Sequence, residues 1–249
     1  MATNTNRKGD EHMNTHRQAS VYEENMQADV NQKSIAKSES KGKITSSALF
    51  RGAGLSAIAA GFLFMLIQLI HPSELLSNVT TGVWANVHYI TFAMCLFWLL
   101  GLTGIYARQV EKAGWLGLAG YLLFSLFLVL SASFNFAEAL IIPLVAADAP
   151  EFVEGFLGIF SGAATEVDLG ALATVAPVAG MLYLFGGFLF GIATFRAGIL
   201  SRWAAAAFAF GAVASLGAAV LPHELARLMA VPMGIGIAWL GYSLWSQRE

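Results

Sequence analysis

Residues 115–143 read WLGLAGYLLFSLFLVLSASFNFAEALIIP, the longest apolar run of the chain, and they carry its one carboxylate embedded in such a run, Glu138. A helix rising about 1.5 Å per residue over this stretch measures roughly 40 Å, more than the ~30 Å hydrocarbon core of a bilayer. Entering at Trp115, it leaves near Asn135 and sets Glu138 close to the far interface. The rest of the sequence reads as further helices beside this one.

Composition agrees. The chain has 249 residues, 57% hydrophobic and only 12% charged, where a soluble domain carries about a quarter charged residues. Charge is also segregated: residues 1–47 hold seven of the 14 Lys and Arg and six of the 16 Asp and Glu. That polar tail cannot bury enough apolar surface to offset chain entropy and is expected to be disordered. It lacks the apolar stretch and small-residue cleavage site of a secretory signal, and Met13 and Met26 offer further translation starts. Residues 48–249 form one membrane domain. The single cysteine, Cys95, lies in an apolar run, which excludes a disulfide framework and a cysteine-based zinc site.

Six apolar segments are predicted: about Ala48–Ile70, Trp84–Tyr106, the run from Trp115, Leu169–Phe195, Trp203–Leu221 and Leu225–Trp245. Each holds the roughly 20 residues that a spanning helix needs. Pro177 is read as a kink inside the fourth, and Pro232 sits early in the sixth. The expected fold is therefore all-α, a six-helix transmembrane bundle. Lys and Arg placement orients it. With the N-terminus cytoplasmic, 13 of the 14 basic residues fall inside, among them Arg108, Lys112, Arg196, Arg202 and Arg248, and Arg227 is the exception. This predicts a multi-pass protein of the plasma membrane with both termini cytoplasmic. The Lys33, Lys37, Lys41, Lys43 and Arg51 cluster before the first segment serves as its topology signal.

Small residues at four-residue spacing (Gly52, Ser56 and Ala60, beside Ala53, Ala57 and Gly61; also Gly187 and Gly191) are expected to pack helices within the chain. GIYARQVEKAGWLGLAG, from Gly104, echoes GIATFRAGILSRWAAAAFAFG, from Gly191, each placing an Arg past a helix end and a Trp at the next start. Positive-inside charge and interfacial Trp produce such a likeness without duplication. A glycine- and alanine-rich bundle with a polar tail has the look of a bacterial membrane protein, a likeness of composition. Residues 144–168 form the one long external loop. Within it Phe152, Val153, Phe156, Leu157 and Phe160 share a face of a short helix from Pro150 to Ser161, suited to lying in the interface rather than spanning.

This topology puts His71, His88 and His223 on the outer side, with Glu74, Glu138, Asp148, Glu151, Glu154, Glu166, Asp168 and Glu224. Asn135 and Glu138 share a helix face at i, i+3. Ionisable groups at membrane depth are costly and face the bundle interior or water, so Glu138, Asn135 and His88 are the candidate ligand or ion residues. His71, His88, Glu138 and His223 are the candidate metal residues, a donor set suited to a divalent metal, and a histidine pair such as His71 and His88 suits haem. GxSxG, Walker A and a dinucleotide-type glycine loop are absent, and no basic–aromatic pattern supports nucleic-acid binding. Three functions stay open: a non-enzymatic protein handling a small solute, cation or proton at an outward polar site; a metal- or haem-containing membrane protein or enzyme; and a structural or partner-binding protein without a ligand. The lipid bilayer is the partner common to all three.

Overall fold

A backbone without water for its N–H and C=O groups must pair them within each segment, which leaves helices as the form for apolar runs of this length. The computed structural model describes residues 21–34, 44–161, 167–220 and 228–247, and among these there is no strand. The chain divides into two units, Met1–Thr45 and Ser46–Glu249. In the first, residues 21–34 form a helix, α1, with every side chain exposed. This departs from the disorder expected of the whole tail. Glu23, Glu24, Met26, Gln27, Ala28, Gln32 and Lys33 are good helix formers, and Lys33 pairs with Asp29 one turn back at 2.8 Å.

The second unit contains α2 (Ser46–Ile70), α3 (Leu76–Val79), α4 (Gly82–Leu140), α5 (Ile142–Val145), α6 (Pro150–Ser161), a 3₁₀ turn (Gly170–Thr174), α7 (Val175–Ala197), α8 (Arg202–Ala214) with a 3₁₀ extension (Ser215–Val220), and α9 (Val231–Ser246). Three helical stretches, Ser46–Ile70, Gly82–Leu140 and Gly170–Ala197, are long and apolar enough to cross a membrane. α8 and α9, with 13 and 16 residues, are shorter than the segments predicted there.

α4 is not one rod. Gly114 interrupts it at φ 59°, ψ −160°, a backbone conformation open to glycine and strained for other residues. Thr103 meets Tyr121, Cys95 meets Ser131, Phe92 meets Phe136 and Trp84 meets Glu138. Positions progressively farther from Gly114 along one arm meet positions progressively farther from it along the other, which defines an antiparallel hairpin of arms 82–113 and 115–140. The second predicted segment thus continues past Tyr106 to Ala113, because residues 108–112 stay helical, with Arg108, Glu111 and Lys112 exposed and Gln109 buried.

The helices pack in chain order and close on themselves. α2 lies against the first arm of α4, the second arm against α7, α7 against α8, α8 against α9, and α9 returns to α2. Glycines make these crossings close. A Cβ at Gly101 would sit 2.6 Å from that of Ala57, one at Gly191 would sit 2.7 Å from that of Ala209, and one at Gly54 would lie 2.7 Å from the carbonyl of Gly241. Packing within the chain is therefore what the small residues of α2 and α7 do, as expected where lipid supplies no hydrophobic drive. Gly52 is the exception and meets nothing within 4 Å. Trp98, Phe124, Phe190, Phe208, Ile237 and Leu240 fill the interior and are at most 1% exposed.

Both helix-interior prolines belong to first turns. Pro177 is the third residue of α7 and Pro232 the second of α9. Backbone N–H groups there have no intrahelical acceptor, so proline costs nothing and no kink follows. The kink read at Pro177 is corrected accordingly. α6 turns Val153, Phe156 and Leu157 into a second apolar cluster with Val79, Trp84, Phe134 and Ile142, while Glu151 and Glu154 stay exposed. Phe156 stacks on Phe134 at 4.4 Å between centroids, 7° from parallel. The helix is thus seated on protein through its apolar face, rather than presenting that face to lipid headgroups. The side chain of Phe160 lies outside the described residues.

Candidate functional site

The ends of the bundle differ in chemistry. At one, Arg108 Nε donates to Gln247 at 2.8 Å, Arg51 stands 5.6 Å over the Trp245 ring, and Gln109 bonds Thr194 at 2.7 Å. Trp115 and Trp203, which start two helices at this end, are 85% and 73% exposed. At the other end α2 stops at His71-Pro72, the hairpin begins at Trp84, and it returns to Glu138. Loop closure alone therefore brings His71, His88 and Glu138 to one end.

They also converge. Thr81 caps the first arm by accepting from Trp84 N at 3.3 Å, which fixes Trp84 at the helix start. Its buried indole donates across to the backbone carbonyl of Glu138 at 2.9 Å, so the end of one arm is tied to the start of the other. One turn on, His88 is fully buried, with Nδ1 2.8 Å from the Trp84 carbonyl and its ring 4.2 Å from that indole. The Nδ1 proton therefore points at the carbonyl and Nε2 faces across the hairpin. There Glu138 Oε2 stands 3.2 Å away, its side chain 8% exposed. The approach lacks the alignment of a straight hydrogen bond and is a close contact of two ionisable groups, a charge pair only when the imidazole is protonated. Two bare acceptors at this distance would repel, and a proton must reside on one of them.

His71 continues the line outward. Its ring meets that of His88 edge-on at 5.2 Å between centroids, and its Nδ1 lies 3.7 Å from Glu74 Oε1 and 2.8 Å from the Pro72 carbonyl. Exposure falls along the series Glu74, His71, Glu138, His88, with side chains at 26%, 21%, 8% and 0%. Acid, imidazole, acid and imidazole thus follow one another from a wetter rim to a dry interior. A cavity of about 300 Å³ adjoins the series, with His71, Glu74, Thr91, Ser131, Asn135 and Glu138 as its polar wall. Asn135 Nδ2 bonds the Ser131 carbonyl at 2.8 Å on its own helix. Phe134, on which α6 is stacked, is part of the apolar wall.

The structure thus brings together four of the five residues singled out from sequence: His71, His88, Asn135 and Glu138. His223 lies outside the described residues, as does Glu224. Among the described residues no three His, Cys, Asp or Glu side chains converge on a common point as metal ligands. His71 and His88 each turn Nδ1 to a backbone carbonyl and face one another edge to ring. Sequence reasoning placed Glu74 on this side without choosing it, although its spacing of three from His71 was a readable signal. Trp84 was read only as a helix start, and nothing local in sequence reveals a bond that spans 54 residues. Comparison with protein-family models, curated proteins and solved structures finds no match.

Proposed function

We propose that the protein is a six-span membrane protein, with both termini on the cytoplasmic side of the plasma membrane, that handles protons together with a small solute or cation at an outward-facing polar site. The two arms of α4 count as two spans in this reading. α8 with its extension and α9 with the residues before it supply two more. The gathering of Arg51, Arg108, Lys112, Arg196 and Arg202 toward one end supports cytoplasmic placement of that end.

One observation carries the functional reading, the His88–Glu138 contact at 3.2 Å beside the cavity. A buried ion pair is weak support for stability, since desolvation offsets most of its attraction. Ionisable groups at this depth characteristically line proton or ion routes. His71 and Glu74 extend the pair toward the rim, which gives a proton somewhere to go. Two carboxylates against two imidazoles leave the cavity neutral or negative, which favours a cation or a hydrogen-bond donor as its occupant. Broken helices give no support, because Pro177 and Pro232 start helices rather than interrupt them.

Proteoliposomes with an entrapped pH-sensitive dye test the proposal. Under an imposed pH gradient the protein is expected to raise proton flux above empty vesicles, Glu138→Gln to abolish the increase, and Glu154→Gln to leave it intact. Equal flux in the two variants refutes the assignment. If wild-type vesicles match empty ones under every cation gradient tried, the pair is a structural clamp instead.

A further inference from the structure

The opposite end of the bundle holds a second cavity, of about 270 Å³, that the proton site does not use. It is formed where the first arm of α4 ends, between Phe50 of α2 and Ile199 of the α7–α8 turn, and Arg108, Gln109, Glu111 and Lys112 line it. Gln109 is 2% exposed. Its amide nitrogen is spent on Thr194 at 2.7 Å, and its carbonyl oxygen has no partner among the described residues. That oxygen is closed off from the cavity, so the groups that face a ligand are the charged side chains. The flanking charges are not self-satisfied either. Arg108 uses Nε on Gln247, and among the described residues no ion pair joins Glu111 to Arg108 or Lys112.

We propose that this cavity binds a phosphoethanolamine group, a phosphate ester carrying a primary ammonium two carbons away. Arg108 and Lys112 take the phosphate oxygens, since guanidinium and ammonium groups are the usual partners of phosphate. Glu111 takes the ammonium. Two cations and one carboxylate match a zwitterion better than a simple anion, which would leave Glu111 opposed. Basic pockets between helix ends on the cytoplasmic side are suited to headgroups. The same chemistry occurs free in solution, and the source is decided by experiment.

The purified full-length protein is titrated, by native mass spectrometry in detergent, with short-chain phosphatidylethanolamine and with phosphatidylcholine, whose trimethylated nitrogen has no N–H. The ethanolamine lipid is expected to bind at least about tenfold more tightly, the worth of one charge-assisted hydrogen bond. Glu111→Gln should bring it down to the choline level, and Arg108→Gln with Lys112→Gln should weaken both lipids at least about tenfold. Gln109 is left unchanged because its amide holds Thr194, and each variant is used at a melting temperature matching wild type. Competition by free O-phosphoethanolamine at equal affinity identifies a soluble ester as the natural ligand, and absence of competition identifies the bilayer lipid. Equal binding of the two lipids to wild type, unchanged binding to the double variant, or tighter binding of phosphatidylglycerol than of the ethanolamine lipid overturns the proposal. None of these results depends on the histidine end.

Discussion

Breaking the His88–Glu138 contact one side at a time, and then both, measures whether it is a charge pair. At 3.2 Å, with an effective dielectric of roughly 20, the attraction between unit charges is about 5 kcal/mol. Poor alignment and the desolvation of both groups offset part of this, and either group can escape by exchanging a proton. The expected coupling free energy is therefore roughly 1–3 kcal/mol. His88→Asn keeps a donor near Nδ1 for the Trp84 carbonyl but loses the ring packed 4.2 Å from that indole, and Glu138→Gln keeps size and shape; the cycle cancels what each change costs by itself. Unfolding of wild type, both single variants and the double variant in bicelles, followed by tryptophan fluorescence, yields the cycle. The double variant should cost less than the sum of the singles by the coupling. Single losses that add to within about 0.5 kcal/mol at neutral pH would refute the pair.

Other outcomes follow from the same coordinates. Trp84→Phe keeps the ring but loses the 2.9 Å bond to the Glu138 carbonyl, and should cost about 1–2 kcal/mol in the same unfolding assay. Gly191→Val drives a side chain into Ala209, whose Cβ a first carbon would already meet at 2.7 Å, and should cost about 1–3 kcal/mol. Gly52→Ala has open space and should be neutral or gain up to about 1 kcal/mol of helix propensity. Cysteines introduced near Glu154 and Gln247 should label from opposite sides of a sealed vesicle, over a background in which buried Cys95 stays unmodified. Same-side labelling would overturn the six-span count.

Hydropathy was enough to mark the described chain as helical, with three stretches long enough to cross a membrane, and the order of apolar segments was enough to send His71, His88 and Glu138 to one end. Those quantities depend on local chemistry: apolar length decides what a segment can span, and a strict up-and-down path sends alternate turns to alternate ends. The same reasoning erred where a rule needs a neighbour to apply. Pro177 reads as a kink only if the α-helix has already begun, and Arg108–Lys112 read as a loop only if the helix stops at the interface.

His71, His88 and Glu138 were placed on one side by topology, but topology does not bring side chains into contact. The 54-residue bond from Trp84 to the Glu138 carbonyl and the turn of Nε2 across the hairpin come from the packing of the two arms of α4 on each other, and the closing of α9 on α2 comes from glycine contacts between distant segments. Sequence determined which groups reach this end of the bundle, because hydropathy acts residue by residue. Tertiary structure alone decided which of them touch, because a contact depends on the fit of two surfaces that no single segment specifies.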